Sequence, residues 1–336
     1  MNHSKLILSG EHSVVYGYPA IVASTSLLVQ TSISHLDTNS LVLVSQNFET
    51  EKRYTKEDLN DFLNYSRSQF KLYRKTKDVS YLKTIRKTDS LAVLTLASAL
   101  FLEAYPQTEL GLKLSLNSNV PVGSGMGSSA TIASSVLKAL AQDKHIHIKP
   151  DKLSALIYQV EEFIHGNPSG VDNTAVVYGG LLQFKKVKQK ISFSQIETDT
   201  KLPASLLIQT GIPKESTADM VGLVAEKKRQ DKQVDRLLKK MGELTESFVE
   251  AIKKNEPLDV LVQKNQQYLE KLGVVGTKAQ KIVRQIEDSG GVAKICGAGG
   301  VRKGSGILWA FHPDPSRLTD LAVSNNWKYW QVRLGE

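Results

Sequence analysis

The sequence contains very little cysteine and no long hydrophobic segment. Cys296 is the single cysteine among 336 residues, which excludes a disulfide within the chain and is typical of a reducing compartment. No apolar run approaches the roughly 20 residues that a membrane-spanning helix needs. Residues 1–8 pass directly into an apolar stretch and lack the features of a signal peptide. We therefore expect a cytoplasmic protein that does not bind a membrane.

Several common functional signatures are also missing. The seven histidines do not stand at metal-ligand spacing, and the Gly-x-x-x-x-Gly-Lys-Ser/Thr sequence of a Walker P-loop does not occur. Two basic clusters, residues 67–87 and 227–240, supply much of the net charge of +9. They can be solvated helix faces or surfaces that attract polyanionic nucleotides. Because no nucleic-acid-binding motif accompanies them, we do not expect a nucleic acid partner.

Length and composition allow one large domain or two. The chain is 41% hydrophobic and 23% charged, which is ordinary for a globular protein. Segments with alternating apolar residues indicate strands, and segments with helical apolar spacing lie between them. The charged segment 185–201 is a plausible domain boundary. We predict strands at residues 4–8, 20–32, 41–45, 112–116, 205–210, 293–295 and 306–311, a hairpin at 176–184, partly helical structure at 59–87, and helices at 91–105, from 128 onward, at 151–165, within 217–272 and at 278–288.

A glycine-rich segment, residues 120–130, separates a predicted strand from a predicted helix. Three glycines and three serines occupy the seven residues from Gly123 to Ser129. Glycine lets the backbone approach an anion closely, and a helix N-terminus offers unpaired N–H groups and a partial positive charge. We therefore predict a phosphate-binding loop, with Ser128 or Ser129 as the N-terminal cap of the helix.

The helix predicted at residues 151–165 carries two glutamates near its end. With about 100° of rotation per residue, Glu162 falls nearly opposite the apolar stripe and Glu161 falls at its edge. A glutamate at such an edge is expected to be half buried and to need a partner. Position alone leaves two alternatives for Glu161, a cation ligand or a salt bridge at an interface.

The segment 166–173 interrupts this helix and contains Asp172. An aspartate that follows Ser169 and Gly170 is commonly a turn or capping residue. A lysine beside a short strand, such as Lys5, is commonly solvated. Taken alone, these two residues favour structural roles over catalytic ones.

Three glycine-containing signatures stand in order along the chain, at residues 5–12, 121–130 and 294–300. This ordered set resembles the GHMP small-molecule kinases, the superfamily of galactokinase, homoserine kinase, mevalonate kinase and phosphomevalonate kinase. The segments 161–173 and 265–273 are similar to the mevalonate kinase branch, as is the Gly-Glu-His sequence at residues 10–12. The resemblance covers nearly the whole chain.

The resemblance implies an α+β fold with two domains. The N-terminal GHMP ATP-binding domain, residues 1–186, is expected to be similar to ribosomal S5 domain 2, with a left-handed βαβ crossover. The C-terminal GHMP kinase domain, residues 187–336, is expected to be ferredoxin-like. The active site is expected in the cleft between the two domains, and a homodimer is expected from the family.

The resemblance also implies ATP-dependent phosphorylation of (R)-mevalonate to 5-phosphomevalonate, a step of isoprenoid biosynthesis. Phosphoryl transfer needs charge neutralisation and in-line positioning, and Mg²⁺ takes few protein oxygens and keeps water ligands. Ser129 and Glu161 are the implied Mg²⁺ ligands. The implied ATP-binding residues all come from the glycine-rich segment: Pro121, Gly123, Ser124, Gly125, Met126, Gly127, Ser128 and Ser129.

Catalytic and substrate residues follow from the same resemblance. Asp172 is implied as the catalytic carboxylate beside the substrate hydroxyl, and Lys5 as the cation that pairs with it and stabilises charge on the transferring oxygen. His12 is expected to donate a hydrogen bond to the substrate. His165 and Asn167 are expected to shape the loop that presents Asp172. The implied substrate residues are Lys5, Glu11, His12, Asp172, Ser216, Gly297 and Ala298.

The chain departs from the family pattern where residues 301–303 interrupt the last glycine run. Two cations there, Arg302 and Lys303, can contact phosphate or lie on a longer, outward-pointing loop, and they keep phosphomevalonate kinase as an alternative. The Gly-Glu-His sequence places an acid near the acceptor, which favours an unphosphorylated acceptor. A non-catalytic ligand sensor or nucleic-acid-binding protein is a remote alternative, because the residues expected for catalysis and metal binding are all present.

Overall fold

A computed structural model describes residues 2–121, 125–187 and 190–336 of the chain. Among these residues, no helix is both long enough and apolar enough to cross a membrane. The strands are β1 (Asn2–Ser9), β2 (Ala20–His35), β3 (Leu41–Ser45), β4 (Thr50–Tyr54), β5 (Leu112–Ser118), β6 (Leu181–Val187), β7 (Lys190–Gln195), β8 (Ser205–Gly211), β9 (Val292–Cys296), β10 (Gly306–Phe311) and β11 (Tyr329–Val332). The α-helices are α1 (Lys56–Thr76), α2 (Ser80–Thr88), α3 (Ala92–Ala104), α4 (Ser128–Asp143), α5 (Pro150–His165), α6 (Val171–Tyr178), α7 (Thr217–Gln230), α8 (Lys232–Lys254), α9 (Asp259–Leu272), α10 (Thr277–Asp288) and α11 (Pro315–Ser324).

The chain divides into two compact units, each assembled from segments that are distant in sequence. Unit 1 comprises Met1–Ser4, Leu27–Val120 and Gly127–Tyr178, and unit 2 comprises Lys5–Ser26, Pro121–Met126 and Gly179–Glu336. Strands β1 and β2 and the glycine-rich segment therefore contribute residues to both units. The single domain boundary expected between residues 186 and 187 is a simpler division than this one, and it stays a prediction.

Unit 1 combines a mixed sheet with packed helices. The C-terminal part of β2 pairs antiparallel with β5, β5 pairs parallel with β3, and β3 pairs antiparallel with β4. Leu112, Leu114 and Leu116 of β5 are buried and alternate with less buried residues, as expected of a strand with one face in a core. Helices α3, α4 and α5 pack against one another. This packing holds the start of α4 and the end of α5, where candidate site residues lie.

Unit 2 contains two strand arrangements. The N-terminal part of β2 pairs with β6, and β6 pairs with β7. A four-stranded antiparallel sheet has the order β11-β8-β10-β9, and two helical crossovers connect its strands, which is the split βαβ arrangement of ferredoxin-like folds. Ile208, Ile295 and Leu308 of this sheet share a core with Val283 of α10. Strand β9 is buried at every residue and ends directly before Gly297.

The predicted α+β class is confirmed, and most predicted elements are present. Strands β3 and β10 have the predicted bounds, and α5 begins at Pro150, next to its predicted start. In each case the local sequence indicates the element, because β3 and β10 are short apolar runs and α5 carries an apolar stripe at helical spacing.

The hairpin predicted at residues 176–184 is wrong. Val171–Tyr178 forms helix α6, and β6 begins only at Leu181. The Thr174 hydroxyl donates to the Gly170 carbonyl oxygen across 2.7 Å within this helix. Gly179 and Gly180 both have positive φ. They end the helix instead of turning a hairpin, because glycine adopts the left-handed conformation that terminates helices.

Candidate active site

Helix α4 begins where the glycine-rich segment ends. Its N-cap residue is Gly127, which has a φ of 66° and no side chain with which to cap the helix. The prediction that Ser128 or Ser129 caps α4 is wrong, because both residues already lie in its first turn. The first N–H groups of a helix have no partner within it. With no capping side chain on them, this helix end is suited to bind an anion.

The expected ATP-binding residues are only partly described. Gly123 and Ser124 lie outside the described residues. Pro121 and Met126 are buried, and Gly125 has a φ of 73°, in the region that favours glycine. Their contact with ATP stays a prediction.

Ser129, Glu161 and His165 lie together in unit 1. His165 Nε2 is 3.1 Å from Ser129 Oγ and 3.7 Å from Glu161 Oε2. Glu161 is 1% exposed, so the expectation of a half-buried side chain is wrong; α5 packs against both α3 and α4, which buries more than the apolar stripe alone. The side chain of His165, which was expected to shape the loop before Asp172, contacts Ser129 and Glu161, and its carbonyl oxygen accepts from the Asn167 N–H across 3.0 Å.

Ser129 and Glu161 fit the chemistry of a Mg²⁺ site that is shared with a nucleotide. A hydroxyl and a carboxylate supply hard oxygen ligands, and Mg²⁺ in such sites takes its other ligands from phosphates and water. Within the part of the chain that the structure describes, no three or more His, Cys, Asp or Glu side chains are grouped to hold a metal. A metal held by Ser129 and Glu161 would take its remaining ligands from phosphates and water.

Helix α5 ends at Gly166, and any other residue at this position would strain the backbone. Gly166 has a φ of 80°, and a Cβ at this position would lie 2.5 Å from the Tyr73 ring. Asp172 follows in the first turn of α6 and is partly exposed. The neighbouring Asn173 is buried and donates through Nδ2 to Ser154 Oγ across 2.8 Å. Asp172 is thus carried by a helix that is bonded to α5, and not by an open turn.

Lys5 is 3% exposed and lies in the part of β1 that belongs to unit 2. Its Nζ donates to the Gly125 carbonyl oxygen across 3.0 Å, and its backbone N–H donates to the Met126 carbonyl oxygen across 3.3 Å. Strand β1 therefore fixes the backbone of the glycine-rich segment at two points. Asp172 belongs to the other unit, and its pairing with Lys5 stays a prediction.

Glu11 forms a buried ion pair that the sequence analysis did not predict. Lys294 Nζ, on β9, lies 2.5 Å from Glu11 Oε1, and the two side chains are 0% and 1% exposed. Burial raises the pKa of Glu11, and the charge of Lys294 opposes that rise. Glu11 Oε2 is buried and has no hydrogen-bond partner among the described residues. The carboxylate is therefore anchored through one oxygen only.

His12 follows Glu11 in the same turn, with a φ of 62°. Its Nε2 lies 3.1 Å from the Ala298 carbonyl oxygen. A carbonyl can only accept, so Nε2 carries the hydrogen and Nδ1 is an acceptor. Burial lowers the pKa of His12 to about 4, which keeps the ring neutral. The expected hydrogen-bond donation to substrate therefore does not fit, because the ring nitrogen that remains accepts.

The turn at residues 10–12 meets the C-terminal glycine loop, residues 297–300, through the bond from His12 to Ala298, and glycines in both segments have positive φ. Gly10 has a φ of 94°, and a Cβ there would clash with the backbone of Pro19 and Ala20. A Cβ on Gly297 would lie 4.0 Å from the Gly125 carbonyl oxygen. Lys5, Glu11, His12, Gly297 and Ala298 thus all line one region of unit 2.

Two further candidates have structural partners of their own. Ser216 is the N-cap of α7 and exchanges hydrogen bonds with Asp219 in a capping box, so its substrate role stays a prediction. Arg302 Nε lies 2.7 Å from Glu215 Oε1, and the arginine side chain is 68% exposed. This ion pair supports the alternative in which residues 301–303 form a longer loop, rather than a pair of phosphate-binding cations.

Sequence reasoning missed Lys294 and a buried polar network behind the turn. Ser9 Oγ is 2.8 Å from Thr245 Oγ1 and accepts from Asn265 Nδ2 at 3.3 Å, and the Ile295 N–H donates to Gln266 Oε1 across 2.9 Å. One signal was available for Lys294, because it is the single charged residue of the otherwise apolar strand 292–296. A lysine in such a strand implies a buried partner.

Comparison with known proteins shows which family this chain is similar to. The family model for the GHMP kinases N terminal domain matches residues 91–180. A mevalonate kinase of Pyrococcus horikoshii is 28% identical over 330 residues, which cover 95% of this chain and 90% of that protein. A mevalonate kinase of Schizosaccharomyces pombe is 30% identical over 333 residues, which cover 88% of this chain and 79% of that protein.

Comparison with solved structures also finds a mevalonate kinase. The crystal structure of the Methanococcus jannaschii mevalonate kinase matches with a TM-score of 0.80 at 25% identity, covering 100% of this chain and 98% of that chain. The sequence relatives and the solved structure therefore both match this chain along nearly its whole length. This chain belongs to the GHMP kinase family, in which it is similar to the mevalonate kinases.

Proposed function

We propose that this protein transfers the γ-phosphoryl group of ATP to the primary hydroxyl of (R)-mevalonate, giving 5-phosphomevalonate and ADP. The observation that carries this function is the likeness to mevalonate kinases, at up to 30% identity and over most of both chains. Phosphomevalonate kinase is not favoured as an alternative, because the relatives are mevalonate kinases and Arg302, one of the two cations that kept it open, is engaged with Glu215.

The nucleotide side of the reaction is assigned to unit 1 and to the glycine-rich segment. The N-terminus of α4 would bind phosphate oxygens through its backbone N–H groups. The Ser129 hydroxyl and the Glu161 carboxylate would hold Mg²⁺. When bound, the metal neutralises charge on the β- and γ-phosphates. His165 contacts both side chains and thereby restricts their positions.

The acceptor side is assigned to unit 2. Glu11 and His12 each keep one buried polar atom that has no partner within the described ranges, and unpartnered buried polar atoms are costly unless a ligand satisfies them. Gly297 and Ala298 would line the same site. The acceptor would thus meet a turn that carries a carboxylate and a neutral imidazole.

Lys5 and Asp172 are the residues to which we assign the transfer itself. Phosphoryl transfer is catalysed mainly by positioning and charge stabilisation, and it asks little of a base. Asp172 would accept the proton of the attacking hydroxyl or hold that hydroxyl in line. Lys5, which is fixed on the Gly125 carbonyl oxygen, would stabilise negative charge on the transferring oxygen.

The physical state of the protein is a further part of the proposal. We expect a cytoplasmic homodimer with no nucleic acid partner. Size-exclusion chromatography with light scattering measures the mass of the particle, and a monomer would remove the dimer from the account without affecting the reaction.

The proposed function is tested by measuring ADP release with ATP and Mg²⁺ against mevalonate, phosphomevalonate, galactose and homoserine. We expect turnover with mevalonate and background rates with the other three. Turnover with phosphomevalonate alone would replace the proposed acceptor. No turnover with any acceptor, from a protein that is folded and binds ATP, would reject a kinase function of this kind.

A further inference from the structure

Lys294 holds a position for which the proposed reaction has no role so far. It is the one charged residue in a strand, β9, whose residues are all buried. Burying a lysine costs free energy even when it is paired, and apolar replacements of buried ion pairs are often neutral or stabilising. The pair with Glu11 is therefore better explained by what it does to Glu11 than by stability.

The same short segment of chain holds both polar residues of the turn. Lys294 Nζ donates to Glu11 Oε1 across 2.5 Å, and the Ala298 carbonyl oxygen accepts from His12 Nε2 across 3.1 Å. Each bond engages one polar side-chain atom of Glu11 or His12, and the second polar atom of that side chain stays unbonded in the described part of the chain. The atoms that remain are Glu11 Oε2 and His12 Nδ1, both buried and without a partner in the described part of the chain.

Both remaining atoms are hydrogen-bond acceptors. Oε2 belongs to a carboxylate that receives a charged donor on its other oxygen, and Nδ1 belongs to an imidazole whose hydrogen is on Nε2. Two adjacent acceptors match a ligand that offers O–H donors. A carboxylate or phosphate offers lone pairs only and would be repelled by Glu11.

We propose that Lys294 is a positioning residue for acceptor recognition, which together with Ala298 fixes Glu11 and His12 so that one of the remaining acceptor atoms, Oε2 or Nδ1, accepts a hydrogen bond from the tertiary hydroxyl of the acceptor. This inference rests on the proposed function, in which the acceptor is a dihydroxy acid. The turn then selects the hydroxyl-bearing part of that molecule, and other residues receive its carboxylate. The inference also disfavours an acceptor with a phosphate group next to Glu11 and His12.

The ionisable groups around Glu11 determine how removal of Lys294 changes the pKa of Glu11. Lys294 and Cys296 face it from β9, Lys5 from β1, and His12 from its own turn. Burial raises the pKa of Cys296 to about 11 and lowers that of His12 to about 4, so both are neutral near pH 7. Lys294 is the larger of the two lysine influences on Glu11. Without it, burial raises the pKa of Glu11 further.

Calorimetric binding of two ligands tests the proposal. The ligands are mevalonate and 5-hydroxy-3-methylpentanoate, which lacks the tertiary hydroxyl. We expect Lys294→Met to raise the Kd for mevalonate about 10- to 100-fold and to change the Kd for the analogue much less, so that the preference for mevalonate collapses. The matched control is Lys227→Met, which removes a lysine that donates to the Leu272 carbonyl oxygen in the same unit and should leave both constants unchanged.

A pH profile separates positioning from a merely structural role. In Lys294→Met, the Kd for mevalonate is expected to fall as the pH is raised, because burial without the lysine raises the pKa of Glu11 further and the carboxylate forms only at higher pH. Lys294→Met combined with Glu11→Gln removes the buried charge and should give a flat profile with the preference still lost. This double variant also serves if Lys294→Met alone does not fold.

Different results would reject the proposed function and the role of Lys294. If the wild-type protein does not phosphorylate mevalonate, the proposed function is rejected. If the wild-type protein does so, and the folded Lys294→Met or double variant keeps the wild-type ratio of the two Kd values, the role of Lys294 is overturned while the proposed function stands.

Discussion

His12 Nε2 lies 3.1 Å from the Ala298 carbonyl oxygen, and this contact fixes the hydrogen of the ring on Nε2. The two residues are separated by 286 positions in the chain. The turn that precedes β2 and the loop that follows β9 are thereby joined through one neutral hydrogen bond. The remaining nitrogen of His12, Nδ1, is a buried acceptor with no partner among the described residues.

We expect His12 to titrate far below an ordinary histidine. Burial lowers its pKa from 6.5 to about 4, so an NMR titration of the ring nitrogens should show a neutral ring down to about pH 5, with His12→Gln to assign the signal. The unfolded chain binds a proton near pH 6.5 that the folded chain binds only near pH 4. The free energy of unfolding should therefore decrease as the pH falls through that interval. Protonation of the His12 ring near the ordinary histidine value of 6.5 would contradict the assignment.

Asp172→Asn should lower kcat about 10²- to 10⁴-fold with little change in thermal stability, because the side chain is partly exposed and its shape is retained. Steady-state kinetics at saturating ATP and mevalonate measure the loss. Asp151→Asn is the matched control, since Asp151 accepts from the Tyr178 hydroxyl across 2.5 Å near the start of α5. Near-normal turnover of Asp172→Asn would remove Asp172 from the mechanism.

Chelation of divalent metal should abolish activity, and added Mg²⁺ should restore it. Mn²⁺ in place of Mg²⁺ allows binding to be followed by electron paramagnetic resonance in the presence of ATP, independently of turnover. Glu161→Gln is expected to weaken this binding about tenfold or more, because a charged ligand becomes neutral. Glu162→Gln, on the adjacent and less buried residue, should bind Mn²⁺ as the wild type does. Equal binding by both variants would exclude Glu161 as a metal ligand.

Ser216 allows a capping role to be separated from a substrate role. Ser216→Ala should reduce the free energy of unfolding by about 1 kcal/mol, because the bonds between its side chain and Asp219 are lost. Ser216→Asn retains a capping side chain and should recover most of that stability. If Ser216 acts only as a cap, kcat/KM stays close to the wild-type value in both variants. A matching loss of kcat/KM in the two variants would instead favour contact with the substrate.

Elements with strong local patterns could be predicted from the sequence. The alternation of Leu112, Leu114 and Leu116 predicts β5, and the apolar stripe of residues 151–165 predicts α5. The α+β class was expected from the resemblance to the GHMP kinases. The glycine signatures indicated the family, because glycine is required where the backbone turns sharply or where two segments come close, as at Gly10.

Features that depend on distant residues could not be predicted. Glu11 and Lys294 are 283 positions apart, and no local pattern shows which turn a buried lysine will meet. The burial of Glu161 depends on the helices packed around α5, whereas periodicity gives only an angle on one helix. The cap of α4 was misassigned by one position, a typical error because serine and glycine both occur at helix N-termini.

The most direct test of the central claim is the ³¹P NMR spectrum of the product formed from ATP and (R)-mevalonate by the wild-type protein. The account predicts one new phosphomonoester signal, coupled to the protons of C5 and equal in amount to the ADP released, with no such signal from Asp172→Asn in the same time. A signal from inorganic phosphate alone, or a phosphoryl group on any other oxygen of mevalonate, would contradict it.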